Sequence, residues 1–133
     1  MGRLTDKYCI VGVGETPHKR PSGRTTLSMA CEAVKNAMAD AGLRPQDIDG
    51  MTSFQYADSC SSGDVSSSLG IRLSYAVDII GGGNSTETLV AHAIGLIEAG
   101  YCENMLIFRS MNGRSFNRQG GQAPDGAAPP PTI

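Results

Sequence analysis

The 133-residue sequence contains no tryptophan, and only 5% of it is aromatic. So few flat rings leave no stacking platform for single-stranded nucleic acid. Charge is scarce and nearly balanced, with 11 Lys and Arg against 13 Asp and Glu, for a net charge of −2. No basic field is present to draw in a phosphate backbone, so no nucleic-acid partner is expected. No apolar run approaches the ~20 residues that a membrane helix needs. The opening MGRLTDKY has no apolar signal-peptide core, and no membrane partner is expected. The four cysteines, Cys9, Cys31, Cys60 and Cys102, are scattered, without a CxxC pair and without a His at ligand spacing. That pattern excludes a metal site and a disulfide framework, and it fits reduced thiols in a cytoplasmic protein.

What is present is globular: 40% hydrophobic and 18% charged, in a length that makes one domain at most. The chain turns on Tyr75 to Gly100, YAVDIIGGGNSTETLVAHAIGLIEAG. Ala76, Val77, Ile79 and Ile80 have the composition of a strand buried on both faces. Gly81, Gly82 and Gly83 then allow a tight turn and the close approach of another group. Asn84 and Ser85 are good helix N-caps, and Glu87 stands three residues after Asn84 as in a capping box. A helix follows to Ala99, and Gly100 is placed to end it. Strand, turn and helix N-terminus together collect free N–H groups and a positive dipole end at one point. Such a point can bind an anion, hold an oxyanion or activate a nucleophile. Local residues fit a plain strand-to-helix turn equally well.

Around this unit the periodicities alternate. Tyr8–Val13 reads as a buried strand and Gly14–Arg24 as a loop carrying His18, Lys19 and Arg20, which suit either a phosphate or solvent. GVGET in this region has part of a dinucleotide fingerprint, but its third glycine is missing and Pro17 stands near that place. Thr26 is placed to cap a helix over Leu27–Ala41, whose Leu27, Ala30, Val34, Ala37, Met38 and Ala41 share one face. Gly42 and Pro45 end it. Gly50–Tyr56 reads as a second strand, and Asp64 as the cap of a short helix over Val65–Gly70. Asn104–Met111 is a fourth strand. His92, on the long helix, has no partner acid in the sequence and reads as a packing residue. Residues 1–111 thus form one α/β region, a largely parallel sheet covered by helices on both faces. Residues 112–133, rich in Gly, Pro and Ala, read as a loop or disordered tail.

The order of IVGVGETP, LSMACEAVKNAMADAGLRPQDIDG, the central stretch and NMLIFRSMNGRS resembles the N-terminal part of a thiolase. The flavour is that of the lipid-transfer-protein or sterol-carrier-protein-x branch. The resemblance implies a thiolase-like half-domain with four of its five strands, the missing strand falling between the fourth and the first. It implies an N-terminal piece, a split subunit or a truncated form, with a companion chain supplying the rest. Thiolases carry a nucleophilic cysteine as Cys-x-[Ser/Thr]-Gly before the third helix. Gly83 stands at that position here, with Ser85 at the Ser/Thr and Thr86 at the glycine, so no catalytic residue is assigned. Cys60-Ser61-Ser62-Gly63 spells the motif, but not after an apolar strand, and it reads as a decoy.

By the same resemblance Gly82, Gly83, Asn84 and Ser85 contact a coenzyme A thioester, which is substrate and not cofactor. The activity implied is acyl transfer or carbon–carbon cleavage on lipid- or steroid-type thioesters. Branches without the cysteine include retro-aldolases, which form no acyl-enzyme. The third strand lies at the sheet edge in this family and pairs with its copy, which implies a homodimer through Ala76, Val77, Asp78, Ile79, Ile80 and Gly81. A non-catalytic binding or scaffold subunit is the alternative. A nucleotide site is disfavoured, since GGGNST lacks the lysine of a phosphate-binding loop.

Overall fold

In the computed structural model, which describes residues 4–55 and 59–113, Thr25 sets the start of the first helix. Its hydroxyl accepts the Ser28 N–H at 3.1 Å, filling one of the donors that a helix start leaves open. The cap is therefore one residue earlier than the sequence suggested. Helix α1, Thr26–Ala41, buries Ala30, Val34 and Met38 along one stripe and stops at Gly42, whose φ of 68° is left-handed.

Three strands follow: β1 (Gly50–Gln55), β2 (Tyr75–Ile80) and β3 (Met105–Phe108). They form one parallel sheet in the order β2-β1-β3. Helix α2 (Ser62–Leu69) joins β1 to β2, and α3 (Ser85–Glu98) joins β2 back across to β3. Right-handed crossovers running in opposite directions put α2 and α3 on opposite faces. Met51, Leu106 and Phe108 pack with Val34 and Met38 of α1 and Val65 of α2 on one side. Leu89, Ala93 and Leu96 of α3 are buried on the other. Burying an aliphatic side chain as fully as Leu89 or Val34 contributes about 1.5–3 kcal/mol. No helix among the described residues is long and apolar enough to cross a membrane.

One residue aligns the entry ends of the strands. The Asp49 carboxylate accepts the N–H groups of Glu103 and Asn104 at 2.9–3.0 Å, ahead of β3. Its backbone carbonyl accepts those of Ser74 and Tyr75, at the head of β2. Asp49 directly precedes β1, so it ties all three strands at one level.

The largest departure from the sequence reading is at the front of the chain. Tyr8–Val13 is not a strand: it makes no ladder with any described strand, and Ile10, Val11 and Val13 are 78%, 60% and 70% exposed. A β-branched run favours extended backbone, but a strand exists only where a neighbour accepts its hydrogen bonds. The segment instead lies along the helices. The Val13 N–H donates to Asp40 at 2.9 Å, and the Tyr8 hydroxyl and Lys7 ammonium both bond Glu98 at the end of α3. A Cβ on Gly14 would stand 2.3 Å from the Ala33 carbonyl oxygen, so only glycine permits this approach to α1. Among the described residues the sheet therefore has three strands, not four.

Smaller departures have local causes. Helix α2 is capped by Ser61 and not by Asp64, which sits at the third helical position and completes a capping box. Strand β2 is only half-buried, as an edge strand must be, and not buried on both faces. Asn112 is buried, with its amide donating to the Arg24 carbonyl at 2.6 Å; residues 114–133, most of the expected tail, lie outside the described residues.

Candidate functional site

All three strands run the same way, so Gln55, Ile80 and Phe108 end at one side of the sheet. Open α/β sheets bind ligands at this side, where crossovers diverge to opposite faces. In this chain the two crossovers leave β1 and β2, neighbours in the sheet, for opposite faces. The start of α2, the start of α3 and the segment after β3 all converge at this side.

The start of α3 carries the residues singled out from sequence. Gly81, Gly82 and Gly83 all keep negative φ or extended backbone, so no left-handed turn is made here. The close approach is real at one of them: a Cβ on Gly81 would stand 2.2 Å from Ser85 Oγ. Ser85 is buried and turned back over the turn, and its N–H donates to the Gly82 carbonyl at 3.0 Å. Gly83 is exposed, and a Cβ there would meet nothing within 4 Å. Asn84 occupies the cap position but makes no side-chain cap hydrogen bond, and the expected box with Glu87 is absent. Its φ of −76° and ψ of −4° are helical, which turns the side chain away from the open N–H groups. With the Ser85 N–H taken by Gly82, the N–H groups of Thr86 and Glu87 are the first-turn donors left without a side-chain cap.

The start of α2 is built differently. Asp78 Oδ1 accepts the Ser53 hydroxyl at 2.6 Å, and the same carboxylate accepts both the N–H and the hydroxyl of Ser62. Asp78 is the one charge in the run assigned to a dimer edge, Ala76–Gly81. Its carboxylate points inward to hold α2. Cys60, the neighbour of this clip, is buried, and burial first, then the nearby Cys31, Asp64 and Asp78, push its thiol up to about 12. A thiol held neutral is a poor nucleophile. Cys102, behind the strands, is also raised by burial and by Asp49.

Arg109, directly after β3, lies over the Phe54 ring at 4.7 Å and donates to the Phe54 carbonyl at 3.0 Å. Nothing in the sequence marked it, because the contact joins residues 55 apart. His18, Lys19 and Arg20 are exposed and line an opening beside it. His92 is remote from this side of the sheet: it packs against Tyr75, with Nε2 3.5 Å from the phenol oxygen. Among the described residues no three His, Cys, Asp or Glu side chains are grouped to hold a metal ion.

No family model matches the chain. It is 38% identical over 125 residues to a steroid side-chain-cleaving aldolase of Thermomonospora curvata, covering 92% of this chain and 32% of that protein. It is 37% identical over 118 residues to the 17-hydroxy-3-oxo-4-pregnene-20-carboxyl-CoA lyase of Mycobacterium tuberculosis, covering 88% of this chain and 30% of that one. The solved Ltp2-ChsH2(DUF35) aldolase superposes with a TM-score of 0.75 at 37% identity, over 84% of this chain and 29% of that chain. A monomeric SCP2-thiolase-like protein of Mycobacterium smegmatis superposes with a TM-score of 0.62 at 28% identity, over 74% of this chain and 22% of that chain. The chain is thus thiolase-like in sequence and fold, and it spans about a third of the length of the curated relatives it matches.

Proposed function

We propose that this chain forms the N-terminal third of a thiolase-like aldolase or lyase of the lipid-transfer-protein branch. Its reaction is carbon–carbon cleavage in a steroid-type acyl-coenzyme A. The observation that carries this is the 38% identity to a steroid side-chain-cleaving aldolase across 92% of the chain. The chemistry is a retro-aldol step. A base takes the proton of a hydroxyl β to the thioester carbonyl, the adjacent carbon–carbon bond breaks, and a ketone leaves. The electron pair passes to the thioester as an enolate, which then takes a proton to give a shorter acyl-coenzyme A. No acyl-enzyme forms, which suits Gly83 at the nucleophile position and a Cys60 thiol held neutral. The start of α3, where Asn84 makes no side-chain cap, offers the N–H groups of Thr86 and Glu87 for the enolate oxygen. The base and acid come from outside this chain.

A companion segment or chain completes the fold, in a cytoplasmic assembly with a second copy of this chain across β2. Strand β3 pairs on one side only, and Ile10, Val11 and Val13 are exposed, so a free strand edge and an apolar run are open for a further segment to cover. The test is turnover of a steroid-type β-hydroxyacyl-coenzyme A by the chain co-expressed with its companion. Release of ketone and shortened thioester is expected. A well-folded assembly that binds the thioester and never cleaves it would instead establish a scaffold subunit.

A further inference from the structure

A cavity of about 740 Å³ opens between the Gly14–Ser22 loop and the segment leaving β3, Arg109–Gly113. Its two walls are fastened together. Ser22 Oγ donates to Asn112 Oδ1 at 2.7 Å, the Asn112 amide donates to the Arg24 carbonyl at 2.6 Å, and Ser110 Oγ donates to the Thr26 carbonyl at 2.7 Å. Asn112 and Ser110 are buried, so the floor is fixed. Three consecutive residues on the loop wall, His18, Lys19 and Arg20, line the opening, with one acid, Glu15, among the lining residues.

These cations differ from their neighbours. Arg24 is paired with Glu32, and Arg44 with Asp47. Among the described residues Lys19, Arg20 and His18 have no acid partner. No backbone hydrogen bond to a described residue occupies the N–H groups of residues 14–16 and 18–20. The cavity therefore presents fixed positive charge and free donors in a concavity whose size falls in the range of small-molecule sites. It also lies at the carboxyl side of the sheet, where β3 ends.

We propose that this cavity binds the phosphate groups of the coenzyme A moiety, through Lys19, Arg20 and the loop N–H groups. The inference deepens the function proposed above and rests on it for the identity of the ligand. Phosphates suit the site because guanidinium and ammonium groups bind them by charge-assisted hydrogen bonds, and backbone N–H groups add to these.

The experiment is calorimetric titration of the full chain, with its companion, using coenzyme A, adenosine 3′,5′-bisphosphate and inorganic pyrophosphate in turn. Lys19→Gln/Arg20→Gln is the comparison, since both side chains are exposed and the fold, checked by circular dichroism, does not depend on them. Coenzyme A and the bisphosphate are expected to bind the parent, and to bind the double variant about ten-fold or more weakly, with affinity falling as salt rises. Equal binding by parent and variant overturns the proposal, and so does pyrophosphate binding as tightly as coenzyme A. In the turnover assay the variant should raise KM about ten-fold and leave kcat within about two-fold. Turnover with an unchanged KM would retire this site and keep the proposed function. Loss of bisphosphate binding in the variant, in an assembly without cleavage, would keep the site and retire that function.

Discussion

Asp78 Oδ1 accepts a hydrogen bond from Ser53 Oγ at 2.6 Å, across a register pair that joins the edge strand β2 to the central strand β1. The same carboxylate holds the first residue of α2, Ser62, by its N–H and its hydroxyl. Ser53 and Ser62 are 0% and 1% exposed, so both are shielded from water while the carboxylate holds them. A buried donor left without a partner costs about 1–3 kcal/mol, and more beside a charge. Asp78→Ala should therefore lower stability by on the order of 3 kcal/mol, read from the urea midpoint. Adding Ser53→Ala should recover part of the loss, because one orphaned donor goes with it. A loss below about 0.5 kcal/mol, as at ordinary surface sites, would show that the clip contributes nothing.

Two glycines test the placement of the chain ends around the site. A Cβ at Gly14 would stand 2.3 Å from both the Ala33 carbonyl oxygen and the Ala37 nitrogen, backbone atoms that cannot swing away. Gly14→Ala should push the Tyr8–Gly14 segment off α1 and cost about 1–3 kcal/mol. Gly83 has open space, so Gly83→Ala should change stability by less than about 0.5 kcal/mol. Thermal melts of the two variants decide this. Equal melting temperatures would mean that the front segment does not dock on α1.

Much of the fold was legible because its signals are local. The stripe Ala30, Val34, Met38 and the closing Gly42 are written within one helix, and the structure has both. The same holds for Gly100, left-handed at a φ of 79° after α3. Tyr8–Val13 was misread because strand propensity is local while strand pairing is not. The Asp78 clip was invisible because its partners are 25 and 16 residues away. Asn84 has the right chemistry for a cap but helical dihedrals, and only the backbone reveals that. Within Cys60-Ser61-Ser62-Gly63, Ser61 caps α2 in a box with Asp64, a local role that the order of residue types also allows.

Cys60 should fail as an acyl acceptor. It is 7% exposed, and its thiol is pushed up to about 12, first by burial and then by Cys31, Asp64 and Asp78. After incubation with an acyl-coenzyme A, intact mass should show no adduct on Cys60; a stable acyl adduct there would restore a thiolase mechanism. The same shift has a pH signature. The folded value lies above the ~8.5 of an unfolded thiol, so the folded state holds this proton more tightly. The resulting stability is complete below about pH 8.5 and is lost as pH rises towards about 12. Cys60→Ala should flatten the alkaline fall in the urea midpoint, and an unchanged fall would assign it to other groups.

Sheet edges that face water usually carry lysine, proline or a bulge, which discourage pairing with another chain. Strand β2 has none of these, and its one charge, Asp78, is turned inward to Ser53 and Ser62. What it presents outward is apolar: Ile80 is 79% exposed, while Val77 and Ile79 are half-buried. Such an edge invites a strand, and a two-fold axis lets one copy satisfy the other with the same backbone groups. Pairing across Ala76–Gly81 would also set the turn before α3 close to the partner copy. The expected outcome is a dimer by light scattering, with Val77→Lys and Ile79→Lys each shifting the mass to that of one copy. A lysine at either position has to be desolvated against its symmetry mate, and two like charges there repel. If the parent is dimeric and both lysine variants keep the dimer mass, the copies meet on another surface and this edge is covered by the companion.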